Sequence, residues 1–165
     1  MSKKIEVERK FLVKLPDIQM LDIRKKIEID QIYLLRGKND SQRRVRKLSE
    51  NGVVSFTYTE KIFLTPLIRN EEEYEIDRTE YLNLLKQVDK SYSPVKKIRY
   101  YFNYHNQIFE LDVYPFSQDL AIMEIEIDTT EQKIDFPDYV QVLKDVSEDK
   151  KYSNAEIASA KKFPE

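Results

Sequence analysis

The sequence predicts an α+β domain built on an antiparallel sheet, and three observations predict it. Apolar and polar residues alternate with period two in about eight segments, the pattern of strands with one buried face. Turn residues separate neighbouring segments, most clearly Asn51-Gly52, a pair suited to a two-residue hairpin. Short stretches with apolar residues three or four apart fill the remaining gaps as helices.

From Lys4 to Val13, Ile5, Val7, Phe11 and Val13 share one face and Glu6, Glu8 and Lys10 the other. Pro16 suits a first helical turn, and Ile18, Leu21 and Ile27 predict a helix reaching Glu28. Asp30 to Arg36 returns to alternation, with Ile32 and Leu34 against Gln31 and Tyr33. Arg44 and Arg46 flank Val45 in the next strand. After Asn51-Gly52, Val54, Phe56, Tyr58 and Ile62 oppose Ser55, Thr57, Thr59 and Lys61. Tyr74 and Ile76 then oppose Glu73 and Glu75. Thr79 suits the cap of a helix carrying Leu82, Leu85 and Val88. Val95 to Phe102 sets Ile98, Tyr100 and Phe102 against Lys97, Arg99 and Tyr101, and a turn follows at His105-Asn106. Phe109, Leu111 and Val113 oppose Glu110 and Asp112; Met123, Ile125 and Ile127 oppose Glu124, Glu126 and Asp128. Pro137 precedes a helix with Val140, Leu143 and Val146. Ser153-Asn154-Ala155-Glu156 has capping-box spacing and opens a last short helix.

At 165 residues the chain suits a single domain, 1–165, with one real core. Lys and Arg number 28 and Asp and Glu 30, so the net charge of -2 offers no basic excess for a nucleic acid duplex. The absence of Cys excludes disulfides, thiolate catalysis and Cys-ligated metals, and fits a reducing cytoplasm. One His, His105, excludes a multi-histidine metal site. Gly37 and Gly52 are the only glycines, too far apart for a phosphate-binding Gly-rich loop. The N-terminus is too charged for a signal peptide, and no apolar run is long enough for a membrane helix.

The charges are sorted by strand. Acidic pairs stand at i and i+2 in Glu6/Glu8, Glu73/Glu75, Glu110/Asp112 and Glu124/Glu126; basic pairs in Arg44/Arg46 and Lys97/Arg99, with Lys10 and Lys61 single. Residues two apart on a strand point the same way. A half-solvated sheet explains any one pair, but solvated faces mix their charges more loosely. Closing the sheet into a barrel, apolar face outward, gathers both sets in one wet or filled lumen. Paired carboxylates without His or Cys select hard cations, Mg²⁺ or Mn²⁺. Clustered Arg and Lys select phosphate oxygens.

The ordered series Glu6-x-Glu8-x-Lys10, Gln31-x-Tyr33-Leu34, Arg44-x-Arg46, Thr59-x-Lys61, Glu73-Tyr74-Glu75, Lys97-x-Arg99, Glu110-x-Asp112, Glu124-x-Glu126 and Tyr152-Ser153-Asn154 resembles the CYTH family, the triphosphate tunnel metalloenzymes. The resemblance covers Glu6 to about Ala158. It implies an eight-stranded antiparallel β-barrel open as a tunnel, with a charged lumen and helices packed outside. It also implies a Mg²⁺- or Mn²⁺-dependent enzyme acting on a triphosphate-containing small molecule. By position, Glu6, Glu8, Glu73, Asp112, Glu124 and Glu126 match the metal-binding carboxylates. Lys10, Arg44, Arg46, Lys61, Lys97 and Arg99 match the phosphate-gripping bases. Tyr33, with Lys10 or Lys61, is expected to orient the attacking water or accept its proton. The family often carries Arg-x-Glu-x-Glu in mid-chain. Here Arg69 precedes Glu71, Glu72, Glu73 and Glu75, so the acidic pair is Glu71/Glu73 or Glu73/Glu75, and Tyr74 favours the latter.

The expected activity is hydrolysis of inorganic tripolyphosphate or a related triphosphate, by a cytoplasmic monomer or homodimer without a membrane partner. Adenylate cyclisation and thiamine triphosphate hydrolysis on the same scaffold are the alternatives. A polyphosphate-binding module without turnover has less need of carboxylates facing its anion, and an open sheet used for protein contacts would scatter the charges outward.

Overall fold

The structure, a computed structural model, describes residues 2–164, with side chains from Val7 onward. In chain order its elements are β1 (Ser2–Lys14), β2 (Asp22–Leu34), β3 (Gln42–Glu50), β4 (Val53–Phe63), β5 (Ile68–Ile76), α1 (Arg78–Leu84), β6 (Val95–Tyr104), β7 (Gln107–Val113), β8 (Leu120–Ile127), β9 (Val142–Asp145) and α2 (Asn154–Ala160).

The length of β1 closes the sheet. One of its edges pairs antiparallel with β8 from Val7 to Lys14. Its other edge pairs first with β5, from Ser2 to Val7, and then with β9, from Phe11 to Val13. The order β5-β4-β3-β2-β6-β7-β8-β1 therefore returns on itself through β1 and β5, making a closed eight-stranded antiparallel barrel with β9 outside the ring. Closure removes the unpaired edges an open sheet would expose. Two hairpins turn where the sequence places them. Asn51 and Gly52 have φ 51° and 79°, and His105 and Asn106 have φ 48° and 60°, the positive values that match the twist of the flanking strands.

Two expected helices are strands instead. Ile18–Met20 makes only a single 3₁₀ turn, and β2 starts at Asp22. The run Arg24-Lys25-Lys26 interrupts its alternation, and the pairing with β6 shifts register between Ile23 and Lys25. Beyond that shift Ile27 and Ile29 keep the even spacing of a strand with Gln31 and Tyr33. After Pro137, Val142–Asp145 pairs with β1 while Leu143 is exposed. A helix would leave the backbone of β1 beyond Val7 unpaired on that edge. The capping box at Ser153 holds: its hydroxyl accepts from the Glu156 amide and α2 follows. At α1 the cap is Asp77, accepting from the Glu80 amide at 2.8 Å, rather than Thr79.

Three apolar clusters fix the barrel. On the outside, Phe11, Val13, Phe102, Phe109, Leu111, Met123 and Ile125 pack under Ile134 and Phe136 and under Tyr139 and Val140 of the turn after Pro137. Also outside, Leu34, Val45, Tyr58 and Ile76 pack under Tyr81, Leu84 and Leu85 of the α1 region. The third cluster is inside. Leu12, Tyr33, Val95, Tyr114 and Ile122 are in phase with the inward charged residues and meet Tyr152, Ala155, Ile157 and Ala158. α1 thus covers the outer wall, as expected of both helices, whereas α2 seats in one end of the barrel. Among the described residues no helix is long and apolar enough to cross a membrane.

Candidate active site

The inward positions of all eight barrel strands surround a cavity of about 1220 Å³. It is lined by the cations Lys10, Arg44, Arg46, Lys61, Arg69 and Arg99 and the carboxylates Glu8, Glu71, Glu73, Glu110, Glu124 and Glu126. Both charge sets therefore share one lumen. The cross-strand register places them: Lys10 lies opposite Glu124, Glu8 opposite Glu126, and Glu110 opposite Glu124. On the far wall Tyr33 lies opposite Arg44, Gln31 opposite Arg46 and Lys61 opposite Glu71. Glu6 lies outside the described side chains; its backbone pairs with Arg69.

The carboxylate wall is organised by Arg99. Its Nε and Nη2 donate to the two oxygens of Asp112 at 2.7 and 2.8 Å, Nη1 lies 2.8 Å from Glu110, and Nη2 lies 3.3 Å from Glu124. One guanidinium thus holds three carboxylates together. Oxygens of Glu8, Glu110 and Glu124 lie within 4.8 Å of one another. Burial pushes Glu110 up to about 7, with Arg99 opposing and Glu124 and Glu8 adding to the rise. Burial pushes Glu124 the same way, but Lys10 and Arg99 outweigh it and hold the carboxyl at about 2. Lys10 Nζ is 3.5 Å from Glu124, and Arg69 Nη2 donates to Glu8 at 2.8 Å.

Asp112 and Lys97 lie behind this wall, not on it. Their side chains are fully buried, 2.7 Å apart, and neither lines the cavity. Lys97 Nζ also donates to Asn154 Oδ1 at 3.2 Å, and the Tyr114 hydroxyl donates to the same oxygen. Burial draws Lys97 down to about 7 against the pull of Asp112; burial pushes Asp112 up, but Arg99 and Lys97 outweigh it and hold Asp112 well below the usual carboxylate range. Asp112 was expected to ligate metal and Lys97 to grip phosphate. In the structure they pair with each other, and Arg99 donates to both Asp112 oxygens.

The cationic wall holds its charges more loosely, with Glu71 and Glu73 as neighbouring carboxylates. Among the described residues Arg44, Arg46 and Lys61 make no salt bridge, and the buried Arg44 Nε has no hydrogen-bond acceptor. Arg46 Nε donates to Gln31 Oε1 at 2.6 Å. Burial, then Arg44 and Arg99, push Arg46 down to about 10. Burial, then Arg44 and Arg69, push Lys61 well below its ordinary value. Glu73 accepts from Thr59 at 3.0 Å; burial raises its pKa, but Arg44 and Arg46 outweigh that and lower it. Glu71 and Glu73 line the cavity and Glu75 does not, so the acidic pair follows Arg69 in the register Arg-x-Glu-x-Glu.

Arg69, Glu71 and Gln31 join the site although the sequence assigned none of them a settled role: Arg69 and Gln31 stood only within motifs, and Glu71 only as one alternative of the acidic pair. Beyond those motifs their signal was phase: each stands two residues from an expected site residue or from another inward position. Glu110 was noted as half of an acidic pair, and the structure makes it part of the triad. His105 stands at a hairpin paired with Asp135, away from the cavity.

The CYTH domain family matches residues 4–158. Among solved structures, the inorganic triphosphatase NE1496 is 29% identical, with 93% of each chain covered and a TM-score of 0.57. The PH1819 protein from Pyrococcus horikoshii OT3 is 21% identical, covering 76% of this chain and 80% of that one at a TM-score of 0.57, a likeness of fold. No curated protein matches the sequence.

Proposed function

This chain belongs to the CYTH domain family, and we propose that it is a divalent-metal-dependent triphosphatase whose substrate is inorganic tripolyphosphate. The observation that carries the reading is the lumen itself. Arg44, Arg46 and Lys61, which make no salt bridge among the described residues, face a wall of clustered carboxylates across one cavity. Buried cations left unpaired are costly, and a polyanion supplies what Arg44, Arg46 and Lys61 lack. The 29% identity to an inorganic triphosphatase, along almost the full length of both chains, supports the same substrate class.

Glu8, Glu110 and Glu124 fit a hard cation: three carboxylates converge, with no sulfur or imidazole donor beside them. Glu126 at the exposed end of the same strand, and Glu6 beyond the described side chains, would extend that set; Glu73 serves the opposite wall. When bound there, Mg²⁺ or Mn²⁺ would polarise phosphate oxygens and neutralise their charge. Arg44 and Arg46 bind the phosphate chain and stabilise charge that develops on the equatorial oxygens. Lys10, beside Glu124, reaches toward the phosphate nearest the acidic wall. Lys61, whose ammonium is disfavoured, takes the proton of the attacking water. Arg99 holds the acidic wall in place rather than gripping substrate.

Phosphate release from tripolyphosphate, ATP and thiamine triphosphate with Mg²⁺ or Mn²⁺, with cyclic AMP scored separately, tests the reading. Tripolyphosphate should give the highest kcat/KM and excess EDTA should abolish turnover. Undiminished turnover in EDTA, or cyclic AMP as the main product from ATP, would overturn it.

A further inference from the structure

Gln31 is fully buried, yet it belongs to neither charged wall. Its Oε1 accepts from Arg46 Nε at 2.6 Å, and its Nε2 donates to the Tyr33 hydroxyl at 2.8 Å. The direction of this chain is fixed by chemistry. A guanidinium N–H can only donate, so the amide oxygen must face Arg46. The amide nitrogen must then face Tyr33, and the Tyr33 oxygen is left to accept. Its own proton is directed elsewhere, and among the described residues no acceptor meets it. Tyr33 lines the cavity, where Arg44, Arg46 and Lys10 are its charged neighbours. The proton is therefore free to serve an acceptor in the cavity.

We propose that Gln31 is a positioning residue, fixed by Arg46, that makes Tyr33 a hydrogen-bond donor toward a phosphoryl oxygen of the bound substrate. The inference rests on the triphosphatase reading for the identity of that oxygen. It also separates the roles of Tyr33 and Lys61. The phenol is held protonated by burial and by its orientation, so it donates and leaves proton acceptance to the lysine.

Gln31→Glu reverses the chain. A carboxylate accepts from both Arg46 and the Tyr33 hydroxyl, turning the phenolic proton away from the cavity. Because the new charge also acts on Arg46 directly, the test is a cycle of wild type, Gln31→Glu, Tyr33→Phe and the double variant. Tripolyphosphate is the probe, kcat/KM is read by phosphate release, and affinity is read by calorimetry. Gln31→Glu and Tyr33→Phe should each lower kcat/KM roughly ten- to hundredfold, the range of one hydrogen bond to a charged group. Gln31→Glu should lose little more in the Tyr33→Phe background. Gln31→Met, which keeps the volume and frees the hydroxyl to rotate, guards against a folding failure and should lose less than Gln31→Glu. An equal loss from Gln31→Glu in both backgrounds would assign the effect to Arg46 and overturn the proposal, as would wild-type activity in Gln31→Glu. If wild type hydrolyses none of the phosphates, the triphosphatase reading falls by itself. The same cycle on tripolyphosphate affinity then decides the Gln31 proposal: coupling between the two sites upholds it, and additivity or absence of binding overturns it.

Discussion

Replacing Glu110 by Gln should make the metal-free protein more stable at pH 8, although it removes a charge paired with Arg99. Burial raises the Glu110 carboxyl from its ordinary 4.5 to about 7. The folded metal-free protein thus binds a proton that the unfolded chain releases. The stability this contributes is complete below about 4.5 and is lost as pH rises through about 7. The interval from 4.5 to about 7 corresponds to about 3 kcal/mol of cost for the ionised form at pH 8. Gln mimics the neutral carboxyl and keeps an acceptor for Arg99, so melting should rise by roughly 5–10 °C at pH 8 in a domain of this size. At pH 4.5 the two proteins should melt together. Metal binding reports the same proton: Mn²⁺ must displace it, so wild-type affinity should fall about fivefold from pH 7 to pH 6. Calorimetry of Mn²⁺ binding, beside thermal melts of both proteins across this range, measures both effects. A Glu110→Gln protein that melts lower than wild type at pH 8, or Mn²⁺ affinity that is flat from pH 6 to 8, would refute the reasoning.

Asp112→Asn should cost about 3–5 kcal/mol, because it leaves Lys97 and Arg99 with uncompensated charge in a site without solvent; denaturant melts would show it, and a loss below about 1 kcal/mol would not fit. Arg44→Ala should do the opposite in the absence of ligand. It removes a buried cation lacking an acceptor, so stability should hold or rise while tripolyphosphate binding weakens by about 1.5–3 kcal/mol; comparing melts with calorimetry separates the two. Glu8→Gln should remove most turnover while leaving the fold intact, and wild-type kcat in that variant would displace Glu8 from the metal set.

The barrel was largely legible in the sequence because a strand's period of two carries both faces at once. Glu8 and Lys10, Arg44 and Arg46, Lys97 and Arg99 declared an inward side before any strand was paired. What stayed hidden depends on pairing partners. Asp112 and Glu124 look alike in sequence, yet one sits between Lys97 and Arg99 behind the wall and the other faces the cavity. Register across strands, which alternation does not encode, makes that distinction. The same holds for Val142–Asp145, whose strand exists because β1 outruns β5 and leaves an edge to cover. Residues 22–27 hid their strand behind three consecutive cations and a bulge. Gln31 stood in a motif with Tyr33, but its hydrogen bond to Arg46 depends on the β2–β3 register, which alternation does not encode.

The central claim, that one lumen grips a triphosphate chain between the two charged walls, is tested most directly by a ladder of phosphate lengths. Wild-type melting is measured with tripolyphosphate, pyrophosphate and monophosphate in turn, each with Ca²⁺ and at matched ionic strength. A ligand bound only by the folded state at a hundredfold excess over Kd adds about 2.7 kcal/mol, which is roughly 5–10 °C here. Tripolyphosphate should give a shift of that size, pyrophosphate less because it spans fewer of Arg44, Arg46, Lys61 and Lys10, and monophosphate almost none. Equal shifts from all three phosphates, or no shift from any, would contradict the account.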